Sequence, residues 1–145
     1  MKRLIVITVL GTFLVGVGAL NAFAGQDSLE YSTPHLALFD QIERGLITGD
    51  VRSFSKYFAH EVFLDLRGVE SGYFSGNQAF YVLQNFLTPR RVIHFKFTTF
   101  DRVGSTPYAT GGGSVMLKGR LETLQIYIAL TRGNKGWAIT QFNAY

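Results

Sequence analysis

Between positions 120 and 132 large aliphatic residues alternate with smaller or more polar ones. Leu124, Ile126, Ile128 and Leu130 fall on one phase, and Thr123, Gln125, Tyr127 and Ala129 on the other. A period of two is what a pleated strand imposes, and this version of it buries one face only. Gly133-Asn134-Lys135-Gly136 follows, residues that tolerate positive φ, so the chain turns back into a last strand over 137–145. From position 92 to the end four strands succeed one another with no helical pattern between them. That run predicts a curved antiparallel sheet, and whatever precedes it must cover one side.

The preceding residues supply the cover. Thr33 as N-cap with Pro34 in the first turn opens a helix whose apolar stripe is Leu38, Ile42 and Leu46, with Leu36, Phe39 and Ile47 beside them, ending at Gly49. Asp50 is placed to cap a second, shorter helix carrying Phe54, Tyr57 and Phe58. Residues 61–67 change period, with Val62, Leu64 and Leu66 on one face and Glu61, Phe63, Asp65 and Arg67 on the other, which is a strand. Gly68 and Gly72 bracket a turn before a short Tyr73-Phe74 segment. Ser75 with Gln78 three positions on is a capping box, opening a helix that buries Ala79, Leu83, Phe86 and Leu87 and stops before Pro89. In the strand after it, Ile93, Phe95 and Phe97 share a face while Phe100 is out of phase, so a bulge is expected near Thr98-Thr99. Thr110-Gly111-Gly112-Gly113-Ser114 has almost no side-chain bulk, and some other part of the chain must approach it closely.

Residues 1–24 have a basic start (Lys2, Arg3), an apolar run from Leu4 to Leu20, and Ala22-Phe23-Ala24, an A-x-A cleavage pattern: a secretory signal peptide rather than a membrane anchor. Removing 24 of 145 residues leaves 121, one domain's worth. Residues 25–32 are small and polar and are expected to be a disordered leader, with one domain over 33–145. The mature chain is expected to be periplasmic or secreted, with no membrane span. Taking Lys2 and Arg3 from the 14 basic residues leaves 12 against 10 acidic, a net +2, too weak and too scattered for a nucleic-acid surface. Cysteine is absent, so packing rather than disulfides must hold an exported fold. Its 13 Phe (two of them, Phe13 and Phe23, in the signal), 7 Tyr and one Trp are equal to that, at about 1.5–3 kcal/mol for each large side chain fully buried.

The order helix, helix, strand, turn, helix, four strands resembles the nuclear transport factor 2-like superfamily over residues 34–145. In that α+β cone, of cystatin-like type, about three N-terminal helices cover a curved sheet. Gly49-Asp50, Phe54-Ser55-Lys56-Tyr57-Phe58, Phe63-Leu64-Asp65-Leu66, Gly72-Tyr73-Phe74-Ser75 and Gln78-Ala79 look like a group of small secreted bacterial proteins of that superfamily with no assigned activity. Each of these pieces is a cap, a turn or an apolar anchor, so the resemblance implies fold rather than chemistry.

Chemistry has few footholds. His35, His60 and His94 are widely spaced with no partner at metal-ligand spacing, so neither a metal nor a cofactor is expected; His35 and His60 read as exposed, His94 as half-exposed. Gly72-Tyr73-Phe74-Ser75-Gly76 lacks the spacing of a nucleophile elbow and is better explained as a helix cap. The glycine run leads into more strand and not into a helix, so it lacks an anion-binding helix N-terminus. Asp65 stands mid-strand between two leucines, where a covered carboxylate is costly unless paired. Pairing with Arg67 or a neighbouring strand competes with a role implied by the resemblance, a general base at the open end of the cone. Tyr57, Tyr81, Tyr127 and Trp137 suit either a pocket lining or an interface, since their rings pack while a polar tip stays wet. The resulting reading is a non-catalytic binding module for a small ligand or a partner protein, open to homodimerisation through the face that carries Tyr127. Its rivals are a cofactor-free isomerase or hydratase using Asp65, and an envelope scaffold without a ligand.

Overall fold

The computed structural model describes residues 34–101 and 104–145. The expected signal peptide, the leader and the Thr33 cap lie outside them. Along the chain come α1 (Pro34–Thr48), α2 (Arg52–Ser55), β1 (Phe58–Leu66), β2 (Glu70–Ser75), α3 (Gly76–Leu87), β3 (Arg90–Asp101), β4 (Tyr108–Leu117), β5 (Arg120–Gly133) and β6 (Gly136–Ala144). The strands form one unclosed sheet in the order β2-β1-β6-β5-β4-β3. It is not wholly antiparallel as expected: β6 returns to the middle of the sheet and pairs with β1 in parallel.

One face of this sheet is covered. Leu124, Ile126, Ile128 and Leu130 of β5 meet Val62, Leu64 and Leu66 of β1 and Phe142 of β6 in a core closed by Phe39, Ile42 and Leu46 of α1, Phe54 of α2 and Leu83 of α3. The aromatic corner is tight: the Phe39 ring meets Phe97 at 5.7 Å and Phe100 at 5.8 Å, both edge-on. The capping box of α3 is present, with Ser75 Oγ accepting from Gln78 N and Gln78 Oε1 accepting from Ser75 N.

The sheet bends at its bulges. A register shift between Phe97 and Thr99 is the one that the phase of Phe100 foretells. It accompanies a junction with α1, where Phe97 N–H donates to Glu43 Oε2 at 2.8 Å and Lys96 Nζ meets Glu43 Oε1 at 3.0 Å. A second shift, between Val92 and His94, was not foreseen and corrects the face of Ile93: Val92 turns inward and Ile93 is 45% exposed. The glycine run meets its expected neighbour, since a Cβ on Gly111 or Gly113 would collide with the backbone of Lys96 or His94 in β3.

Other expectations fail for local reasons. Asp50 caps nothing with its side chain. The four-residue α2 starts from Val51 without a side-chain cap, and it is the Asp50 carbonyl that accepts from Ser53 Oγ at 2.7 Å. Tyr57 and Phe58 are not helical, because the chain is already feeding the sheet: Ile139 N–H donates to Tyr57 O at 2.7 Å and Phe58 pairs with Ile139. β1 therefore starts at Phe58, and His60 is an exposed strand residue rather than a loop residue. Ile47 stays exposed at the end of α1. His35 is buried, its ring edge-on to Trp137 at 5.4 Å, because the start of α1 crosses the β5–β6 hairpin end of the sheet.

Candidate functional site

The interior of the cone is packed. Phe39, Phe54, Phe95, Phe97 and Phe142 are all 3% exposed or less, and open grooves lie at the rim. Trp137 and Tyr57 come together at one of them, of about 580 Å3, between the start of β1 and the β5–β6 hairpin. A smaller depression of about 290 Å3 continues past the same two rings toward α1, where Gln41 and Leu38 line it. Lys56 Nζ stands 5.0 Å from the centre of the Tyr57 ring, and Arg132 Cζ 5.8 Å from the indole. Tyr81 is not part of this group. It is exposed on α3 beside Phe80, in an adjoining groove with Arg52 and Asn77.

Asp65 and Tyr127 fall on the opposite, uncovered face of the sheet. Burial along β1 takes Val62, Leu64 and Leu66 inward, which turns Asp65 outward and corrects its proposed place as a base within the cone. The strand register then sets Asp65 beside Asn143, Asn143 beside Tyr127 and Tyr127 beside Thr110, one row across four strands. In the next row Phe63 lies beside Gln141, Gln141 beside Ala129 and Ala129 beside Tyr108. Tyr108 stacks on Tyr127 with ring centres 5.4 Å apart, and Phe63 meets Tyr73 at 5.0 Å. Burial, and secondarily Tyr108, raises the Tyr127 hydroxyl above its ordinary pKa, so it is a neutral donor at physiological pH. Asn143 is 8% exposed; its Nδ2 donates to the Tyr145 hydroxyl at 3.1 Å, while its Oδ1 is buried without a hydrogen-bond partner.

The pairing expected of Asp65 with Arg67 is not made. Among the described residues the ion pair present is Lys96–Glu43. Arg67 has passed the end of β1, where its N–H donates to Ala144 O, and it lines a separate edge groove with Tyr145 and Arg90. Among the described residues no three His, Cys, Asp or Glu side chains converge as metal ligands would, and no helix is long and apolar enough to cross a membrane. Sequence reasoning missed Phe63, Tyr73, Tyr108 and Asn143 as members of the outer patch. The alternation of residues 141–145 holds the signal for Asn143, but only strand register brings it to Tyr127.

An unclosed six-strand sheet with helices on one face and a filled interior defines the class as an NTF2-like α+β cone. Solved structures of that class superpose on it: a ketosteroid isomerase-like protein from Erwinia carotovora atroseptica (TM-score 0.62, 9% identity, 75% of this chain and 90% of that one) and a protein of the NTF2-like family from Streptomyces avermitilis (TM-score 0.56, 12% identity, 76% and 91%). Within the class, this chain belongs to the DUF4783 family, a domain of unknown function whose model matches residues 39–144. A DUF4783 family protein from Bacteroides ovatus superposes with a TM-score of 0.62 at 17% identity, over 72% of this chain and 90% of that one. No curated protein matches the sequence. At such identities the structural likeness speaks for the fold.

Proposed function

We propose that this is an exported, non-catalytic binding module that works through the uncovered face of its sheet, with a second copy of itself as the partner. The observation that carries the reading is the distribution of charge on that face. Its middle, formed by Tyr108 and Thr110 of β4, Gln125 and Tyr127 of β5, and Gln141 and Asn143 of β6, is uncharged and rich in tyrosine. Charges stand on the flanks, with Glu61 and Asp65 on β1 and Arg91 on β3. An uncharged aromatic centre inside a charged rim is the anatomy of a protein interface, and a two-fold axis through the centre would match the patch to itself. Export rests on residues 1–24.

Catalysis by Asp65 fits less well. A general base needs a substrate held against it, and Asp65 faces out from the uncovered side of the sheet while the enclosed side is filled by phenylalanines.

Native mass spectrometry of protein recovered from its own host tests the reading. The expected species is a dimer of chains beginning at Gly25, converted to monomer by Tyr127→Arg with the fold retained. A wild-type monomer would favour the scaffold alternative, and a chain still starting at Met1 in a membrane fraction would overturn export.

A further inference from the structure

We infer that the groove between Tyr57 and Trp137 is a binding site for a small organic anion, one with a flat apolar body and a carboxylate. The site arises from slack in the sheet. β1 pairs with β6 at Phe58–Ile139 and next at Phe63–Gln141, so five steps of one strand run against two of the other and residues 59–62 of β1 bulge away from β6. The β5–β6 hairpin reaches further, to the Gly133–Gly136 pair, and forms the far wall. The gap of about 580 Å3 is of small-molecule size.

Its walls and its rim differ in chemistry. Tyr57 and Trp137 are half-buried and offer ring surface, and the indole is steadied from behind by the buried His35, so little side-chain freedom is lost when a flat ligand packs on it. The cations around the rings are Lys56 and Lys135, and no Asp or Glu lines either the groove or its extension toward α1. Exposed cations gathered on one concave surface with no carboxylate among them draw an anion, which relieves their mutual repulsion. Two lysines are point charges that suit a carboxylate, and the surface between them is the ring faces of Tyr57 and Trp137, which selects an acid with an apolar ring over inorganic phosphate. The inference does not depend on the sheet face pairing, since the groove lies at the hairpin end of the fold.

Trp137 is the sole tryptophan of the chain, so one indole N–H resonance reports on the site. The probe is 4-hydroxybenzoate, with its uncharged amide as control, titrated into the isotopically labelled mature protein. The acid is expected to move the indole signal saturably, and to bind about tenfold more tightly than the amide. Lys56→Gln with Lys135→Gln should weaken the acid by about tenfold and leave the amide unchanged, the scale of two exposed charge contacts. Both lysines are exposed, so the double variant keeps the fold, which an unchanged free spectrum verifies. An indole signal that the acid does not move, equal binding of acid and amide, or undiminished binding of the acid by the double variant would each overturn the site.

Discussion

Gly111, Gly112 and Gly113 look alike in the sequence, and the structure gives them different jobs. Gly111 and Gly113 fall on the covered phase of β4, where the backbone of β3 lies so close that a methyl group has no room. Gly112 falls on the open phase, where a Cβ would meet only the carboxamide end of Gln125 at 3.0 Å. Backbone cannot step aside and a glutamine side chain can. Gly113→Ala is therefore expected to cost about 1–3 kcal/mol, as overpacking does, whereas Gly112→Ala should stay within about 1 kcal/mol and even gain from the entropy that glycine loses in a strand. Urea midpoints of the two variants decide it, and equal losses would refute the assignment of faces. At this scale the sequence was informative wherever phase was clear: Leu124, Ile126, Ile128 and Leu130 of β5 are all buried. The phase of Leu64 and Leu66 likewise sends Asp65 outward, against the general-base role that the resemblance implied. Ile93 was illegible for the opposite reason, because Val92, Ile93, Phe95 and Phe97 are all apolar and either phase would bury a hydrophobic face.

Elements were legible where a local chemical signal coincided with a change of period. Ser75 and Gln78 mark α3 because their side chains satisfy backbone donors that no helix can satisfy for itself. Asp50 offered the same kind of signal and misled. The segment after it is too short to need a cap before β1 begins, and a turn held by Ser53 serves instead. The contrast is measurable. Ser75→Ala should lose about 0.5–2 kcal/mol of stability, while Asp50→Ala should stay within about 0.5 kcal/mol, as surface substitutions usually do. Denaturant unfolding of both variants gives the comparison, and a larger loss from Asp50→Ala would restore the cap that the structure removes. The parallel contact of β1 with β6 had no signal of this sort. It joins residues about 80 positions apart, and only the closing of the whole sheet determines it.

The molecule as a whole turns that long-range pairing into a surface. Phe63, Asp65, Tyr73, Tyr108, Tyr127 and Asn143 come from five strands and share no sequence motif, so Tyr127 was readable as a candidate while its neighbours were not. Adjacent residues of β5 separate the two faces cleanly: Ile128 is fully buried against the helices, and Tyr127 is half-buried on the open side. If two copies meet through Tyr127, association stabilises the folded chain by mass action and the unfolding temperature rises with protein concentration. Ile128→Ala removes core volume, costs about 2–5 kcal/mol, and should lower the unfolding temperature at every concentration while preserving that rise. Tyr127→Arg puts a charge into the uncharged centre of the patch, and should abolish the concentration dependence while leaving the unfolding temperature near that of the dilute wild type. Thermal unfolding of the three proteins across a hundredfold range of concentration, about 1 to 100 μM, separates folding from association. A Tyr127→Arg protein whose unfolding temperature still climbs with concentration would remove this face from the dimer.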